Sequence, residues 1–346
     1  MSAVQDSAKK MRELAKVCLS ERSSEIKCVH RTLLLRSLII LKKMYPETEA
    51  FFSPMMKTLM PYAKRPDKKG DYENGMGRHY YCALSVNGKE LTQVNSYYRN
   101  GIKKMSKSAR TMLEEDYTMA LTMQRAGFIE SCGKFLGRSV HMLSDMCCLP
   151  HTASMTYYSA GRSFHKAYEA LAEAVYPELV PEQTPEKLPD LFSARDSFAA
   201  DLNKIALETA GGLEAVKSDP LEAVKNHLLR TELIICAFLM RFYDDMTTPE
   251  RKAHFITNGS GCRLTKNAAT LTVKVTEEGI VLHGVNPSPE SKVNVTNTVF
   301  YAAHRHDGLF TLSPANDNDG RVLEVSGGRF VLRKFDPVHG EQLFRL

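Results

Sequence analysis

The chain has 346 residues, with 46 Lys and Arg against 40 Asp and Glu, a formal net charge of +6. That length suits two domains, or one large domain with an appendage. At 43% hydrophobic and 25% charged, it has the apolar content for a core, which excludes collagen-like repeats, wholesale disorder and a disulfide miniprotein.

The opening segment Met1–Lys16 is charged and has no apolar centre, so it does not read as a Sec signal peptide. This implies a cytoplasmic chain, or a secreted one if a leader has been removed or export is non-classical. The longest apolar stretches, Leu33–Leu41 and Leu233–Met240, fall far short of the roughly 20 residues a membrane span needs. The eight cysteines include no C-x-x-C pair, which leaves zinc-ribbon and thioredoxin readings without support; most read as reduced core thiols.

Residues 1–175 read mostly as helix. Val29, Leu33, Leu34, Leu38 and Leu41 recur at helical spacing over Val29–Met44, and Tyr45-Pro46 ends that run. Ser53 before Pro54 reads as the N-cap of a short helix to about Tyr62. Residues 63–77 read as a basic loop. Glu114–Asp145 holds two amphipathic patterns broken near Gly127, and Ser163–Val175 is a further helix. Pro177, Pro181, Pro185 and Pro189 come at intervals of four, which no α-helix survives, and predict an extended loop. Helices over about Phe192–Thr209 and Leu221–Met246 follow, the second opened by Ser218-Asp219-Pro220.

From Ala253 onward the apolar residues alternate in short runs: Leu271–Val275, Ile280–Leu282, Val293–Val295, Val299–Tyr301, Leu309–Leu312, Val322–Val325 and Phe330–Phe335. Turn residues at Asn316–Gly320 and Ser326–Gly328 separate them. The expected fold class is mainly α: a helical domain over 1–250, then a small all-β domain over 251–346, trefoil-like or a small barrel.

One set of residues carries chemistry. His141 and Asp145 stand four apart on a predicted helix and share a face. His151 follows just past Pro150, and His165 and Glu169 are again four apart on the next helix. The pattern is H-x3-D-x5-H-x13-H-x3-E. Any one of these histidines alone is an ordinary core or surface imidazole. Together they set a nitrogen and a carboxylate on each of two helices, with a fifth ligand between them, and bundle cores are where such sites are built. A set of His and carboxylate without thiolate suits catalytic zinc.

The segment Gly133–Glu169, GKFLGRSVHMLSDMCCLPHTASMTYYSAGRSFHKAYE, resembles the zinc-dependent phospholipases C of bacteria, the clostridial alpha-toxin group, whose motif has the form H-x3-D-x5-H followed by H-x3-E. The resemblance extends upstream. His30 opens an amphipathic helix, and Pro66-Asp67 stands twelve residues before His79; Asp71 is a nearer alternative, but the Pro-Asp context favours Asp67. It covers roughly residues 28–245. It implies up to three zinc ions, the first held by Asp67, His79, His141 and Asp145, and the second by His151, His165 and Glu169. The third would be held by His30, a bridging Asp145 and one further group, which in the family is the amine and carbonyl of an N-terminal Trp. This chain has no Trp. Three readings stay open there: a cut within about Val17–Glu21 that frees a new amine, substitution by Glu21 or Glu25, or a weak or empty third site.

The resemblance implies hydrolysis of a phospholipid to diacylglycerol and a phosphorylated headgroup. Asp67 would be a plain ligand, or also a general base or water-orienting group. An aromatic cage for choline is not evident, since Lys68, Met76 and Gly77 occupy the places where its aromatics would stand. Lys64, Arg65, Lys68 and Lys69 would suit an anionic headgroup or nucleic acid, or are simply a solvated loop. The enzymatic alternative is a zinc-dependent single-strand nuclease on the same scaffold, with Tyr80 and Tyr81 or Tyr97 and Tyr98 as stacking platforms. The non-enzymatic alternative is a binding protein acting through the β domain. There Gly320–Gly328 and Glu341–Leu346 resemble a ricin-type β-trefoil lectin repeat, which implies a carbohydrate partner touching Asn316, Asp317, Asp319 or Gln342.

Overall fold

The computed structural model describes residues 2–20, 28–71, 73–74, 77–81, 94–99, 102–155, 161–176, 184–193, 198–248, 255–259, 261–264, 270–283, 298–306, 308–317, 319–336 and 339–345. A helical N-terminal part is followed by an antiparallel β part. By its contacts the chain separates into two compact units that interleave along the sequence. One comprises Met1–Ser53, His79–Thr92 and Val140–Tyr243, and the other Pro54–Arg78, Gln93–Ser139 and Asp244–Leu346.

The first unit is helical. Helix α1 (Ser2–Ser20) buries Ala8, Met11, Ala15 and Cys18, a stripe at three- and four-residue spacing, and lays it along α8 (Arg162–Val175). The Arg12 guanidinium anchors the start of α8 through Ser163, donating to its hydroxyl and, at 3.4 Å, to its carbonyl. Helix α2 (Val29–Met44) has the bounds its periodicity predicts. Its buried Ser37 donates to Glu232 O at 2.9 Å, and Arg36 and the Tyr176 hydroxyl both meet the Glu232 carboxylate at 2.7 Å. Helix α3 (Glu47–Phe52) runs straight into a 3-10 turn at Ser53–Met55. Ser53 is therefore helical (φ −51°, ψ −45°) and not the N-cap its sequence suggests, because the chain makes no break there. The unit continues with the end of α6 (Ile129–Met146), α7 (Leu149–Thr152), α8, α9 (Phe198–Gly211), α10 (Leu213–Ser218) and α11 (Pro220–Thr247). Phe192, where the pattern predicts the start of α9, is not helical: it sits at φ +60° and gives its N–H to Asp201 Oδ2 at 2.8 Å. Pro185 and Pro189 lie in irregular chain as expected, while Pro177 and Pro181 fall outside the described residues.

The second unit combines α4 (Met56–Tyr62), a hairpin of β1 (Val94–Arg99) and β2 (Ile102–Lys107), α5 (Ala109–Arg125), α6 up to Ser139, and the C-terminal strands. The hairpin corrects the mostly helical reading of this region. Helix α5 is buried on every side from Thr111 to Met123, including Glu114, Glu115 and Asp116. Two of these carboxylates are paired: Glu114 with Arg305 and Arg110, and Glu115 with Lys107 and the Ser313 hydroxyl. Thr118 Oγ1 accepts the His304 backbone N–H at 3.2 Å, so the helix satisfies part of strand β6 (Val299–His306) directly.

Six strands close a barrel in the order β10-β3-β4-β5-β6-β7. They are β3 (Gly261–Leu264), β4 (Thr270–Thr276), β5 (Gly279–His283), β6, β7 (Leu309–Pro314) and β10 (Phe344–Arg345). Strands β8 (Arg321–Ser326) and β9 (Arg329–Lys334) form a separate hairpin turned by Gly327 and Gly328, both at positive φ. Inward side chains alternate in β4 and β5 as the sequence predicts, with Val273, Val275, Ile280 and Leu282 buried, whereas β7 is buried along its whole length. The predicted run Val293–Val295 lies outside the described residues. Among the described residues no helix is long and apolar enough to cross a membrane.

Candidate metal centre

Four short pieces of the first unit bring their polar side chains together. Helix α2 carries His30 in its first turn. The turn at 77–79 carries His79. Helix α6 carries His141 and Asp145 one turn apart, and after the break at Cys148 the Pro-started α7 carries His151. Helix α8 adds His165 and Glu169, again one turn apart. His141, Asp145, His151 and His165 are buried.

Asp145 is the hub. Its Oδ2 lies 2.7 Å from His79 Nδ1 and 3.3 Å from His141 Nε2. Its Oδ1 lies 3.8 Å from His30 Nε2 and 3.9 Å from His151 Nδ1. Each oxygen thus faces a different set of imidazoles. A second focus lies at Glu169, whose Oε1 is 2.8 Å from His165 Nε2 and 3.6 Å from His151 Nε2. The candidate ligand atoms of His30, His141 and Asp145 lie mutually within 4.8 Å, as do those of His151, His165 and Glu169.

This donor set fits zinc. Imidazole nitrogens bound tetrahedrally at 2.0–2.1 Å stand about 3.4 Å apart, and His141 Nε2 lies 3.2 Å from His79 Nδ1. The outer contacts also fit. His151 Nδ1 donates to His79 O and His165 Nδ1 to Met155 O, each at 2.7 Å. Those bonds place the proton on Nδ1 and leave both Nε2 lone pairs toward Glu169, the arrangement metal-binding histidines use. His30 Nδ1 meets the Ser144 hydroxyl at 2.6 Å.

Electrostatics reinforce the picture. Burial pushes the Asp145 carboxyl up, but His141, His151 and His79 outweigh it and hold it well below the usual range. Glu169 is likewise lowered: burial raises it, and hydrogen bonds from His151 and His165 more than offset this. Burial lowers His151, yet Asp145 and Glu169 bring it up to about 9.

The remaining candidates divide. Asp67 closes the 3-10 turn Arg65–Asp67 of the second unit, exposed, with its carbonyl accepting Asn74 Nδ2 at 2.8 Å. Asp71, the alternative, is committed elsewhere: Arg138 clamps both of its oxygens at 2.8–2.9 Å and Arg65 adds a third bond at 3.0 Å. Burial raises its carboxyl, and Arg138 with the Glu73 N–H and Arg65 brings it down overall. Lys64 is half-buried and Arg65, Lys68 and Lys69 are exposed, with Arg65 taken by the Asp71 pair. Glu21 and Glu25 lie outside the described residues.

The platforms that a nuclease would need are not supplied by Tyr80 and Tyr81. Tyr80 is buried and stacked on His151, with ring centroids 4.9 Å apart. Tyr81 is buried with its hydroxyl donating to Asn203 at 2.7 Å. In the β part, buried Gln342 is used structurally, donating to Glu324 and Lys334 O and accepting the Asp336 N–H. Asp317 is likewise taken by Arg321. The residue that sequence reasoning missed is Ser144, which no ligand pattern marks; only its place three residues after His141 hints at it.

No family model matches the chain, and no curated protein matches it significantly. Solved structures similar to it include the alpha-toxin of Clostridium perfringens from an avian strain, 13% identical, covering 96% of this chain and 94% of that one with a TM-score of 0.46. The alpha toxin of Clostridium absonum is 11% identical, covering 97% of this chain and 94% of that one with a TM-score of 0.39.

Proposed function

We propose that the chain is a zinc-dependent phospholipase C, a phosphodiester hydrolase that releases diacylglycerol and a phosphorylated headgroup. The helical part, residues 1–250, would carry the chemistry and residues 251–346 would form the β module. The reading rests on one observation above all: each oxygen of the buried Asp145 faces a different set of imidazoles. A carboxylate so placed serves two cations at once. The ordered sequence resemblance supports the same ligands.

His79, His141 and Asp145 would hold one ion and His151, His165 and Glu169 a second, with His30 and Asp145 at a third. When bound, such ions lower the pKa of water to near 7 and neutralise charge on the phosphoryl oxygens. The chain's own part is to fix these groups before substrate arrives. The carbonyls of His79 and Met155 hold two imidazoles in the ligating tautomer. Tyr80, stacked on His151, shields that ring from water. Asp67 would join them as a ligand and a candidate general base, as the resemblance implies.

The test is zinc content measured together with hydrolysis of a short-chain phosphatidylcholine and of single-stranded DNA in parallel. Two or three zinc ions per chain and diacylglycerol release that chelator abolishes are expected. Activity on DNA alone would replace this reading by the nuclease. Binding function that survives chelation would replace it by the β-domain alternative.

A further inference from the structure

The three imidazoles His30, His151 and His165 each turn Nδ1 toward an oxygen, but not toward the same kind of oxygen. His151 and His165 meet backbone carbonyls, which can only accept. Their tautomer has no alternative. His30 instead meets Ser144 Oγ at 2.6 Å, and a hydroxyl can accept or donate.

What makes Ser144 an acceptor is its second bond. Ser144 is buried on α6, and its Oγ lies 2.8 Å from His141 O, the carbonyl one turn back. A carbonyl has no hydrogen to give, so the single Ser144 proton goes there. Only a lone pair is left for His30, which must therefore carry its own proton on Nδ1. That frees the His30 Nε2 lone pair, and Nε2 is the atom 3.8 Å from Asp145 Oδ1. The chain of bonds is His30 Nδ1–H to Ser144 Oγ–H to His141 O.

We propose that Ser144 is a positioning residue that sets the ligating tautomer of His30, and that the His30–Asp145 site is for this reason the first to lose its ion. The inference rests on the metal-centre reading above. The hydroxyl can rotate, donate to Nδ1 and release Nε2 as a protonated, non-ligating nitrogen, at the expense of one back-bond to the helix. The carbonyl-held His151 and His165 have no comparable escape.

The experiment is zinc titration of the full chain against a chromophoric chelator, with bound zinc counted at each step, on wild type, Ser144→Ala, Ser144→Thr and His30→Ala. Ser144→Ala should weaken the weakest site about 10–100-fold, the usual effect of losing an outer-shell partner, and leave the others unchanged. Ser144→Thr, which keeps the hydroxyl, should restore it, and His30→Ala should abolish that site alone. Nitrogen NMR of the zinc-free chain gives a readout that packing alone does not move: His30 protonated on Nδ1 in wild type, and no longer held there in Ser144→Ala. Unchanged titration and tautomer in Ser144→Ala overturn this inference while leaving the metal centre standing. A wild-type chain that binds no zinc overturns the metal centre itself.

Discussion

In the proposed centre Asp145 would be the least replaceable ligand, because its two oxygens face different sets of imidazoles. In Asp145→Asn one acceptor oxygen becomes an amide that only donates, and the negative charge balancing His79, His141 and His151 disappears. Loss of an outer-shell partner alone costs about 10–100-fold, so Asp145→Asn should lower phosphodiester hydrolysis by more than about 100-fold. It should also lower zinc content, and do both more severely than Glu169→Gln, which touches one focus only. Metal analysis and turnover measured side by side check this; wild-type values for both would remove Asp145 from the centre. The clustered His, Asp and Glu residues could be picked out in the sequence because metal chemistry restricts residue type and helices restrict spacing. Ser144 could not, since a serine inside a helix carries no mark of which side chain folds against it. The Pro-Asp context favours Asp67 over Asp71 in the sequence, and three-dimensional pairing adds that Arg138 has already claimed Asp71.

Helices with a one-sided stripe were read most accurately, because 3.6-residue periodicity is imposed by burial of one face. Helix α2 is the example. Helix α5 is the counterexample: it is buried all round, so its polar residues mark buried ion pairs and not a solvent face. The hairpin β1–β2 was missed although Asn100-Gly101, a strong hairpin dipeptide, stands between its strands in the sequence; those two residues lie outside the described ones. Close helix packing was also invisible. Gly133 and Gly137 on α6 face α4, and a Cβ at Gly137 would stand 2.5 Å from Leu59 O and 3.0 Å from Ala63 N. Backbone cannot move aside as a side-chain end can. Gly137→Ala should therefore destabilise the second unit by about 1–3 kcal/mol, the usual range for overpacking. Denaturant unfolding measures it, and an unchanged midpoint would show that the two helices can separate without loss.

Across the whole molecule, two buried groups, one in each unit, should contribute to the acid response in opposite directions. In the first, burial and then the Arg230 charge lower His227 to about 4, and the Tyr168 hydroxyl lies 2.8 Å from its Nδ1. The unfolded imidazole titrates near 6.5. His227 thus contributes stability above about pH 6.5, and that contribution fades as pH falls toward 4. In the second, Asp116 is fully buried beside Glu73 and Glu115, with Arg138 as the facing cation. Burial raises its carboxyl well above the usual range, Glu73 adds to this, and Arg138 only partly opposes it. Asp116 therefore contributes stability that is full below its unfolded value of about 3.9 and is lost as pH rises through its folded value. Hydrogen exchange resolved by unit should show Asp116→Asn flattening the alkaline loss in the second unit, and His227→Gln flattening the acid loss in the first. A decrease of second-unit stability at pH 7 in Asp116→Asn would mean that the carboxylate is charged and held there by a cation.

Order along the chain was settled by the amino acids themselves: a helical stretch, then alternating strands, with His and carboxylate ligands at one-turn spacing. Those are consequences of local periodicity and of the chemistry that each side chain carries. Tertiary structure alone decided which of these groups converge, that Asp145 faces two ways, that Ser144 meets His30, and that α5 groups with the barrel strands in one compact unit. Such pairings join residues far apart in sequence, and only the closing of the core brings their atoms within bonding distance.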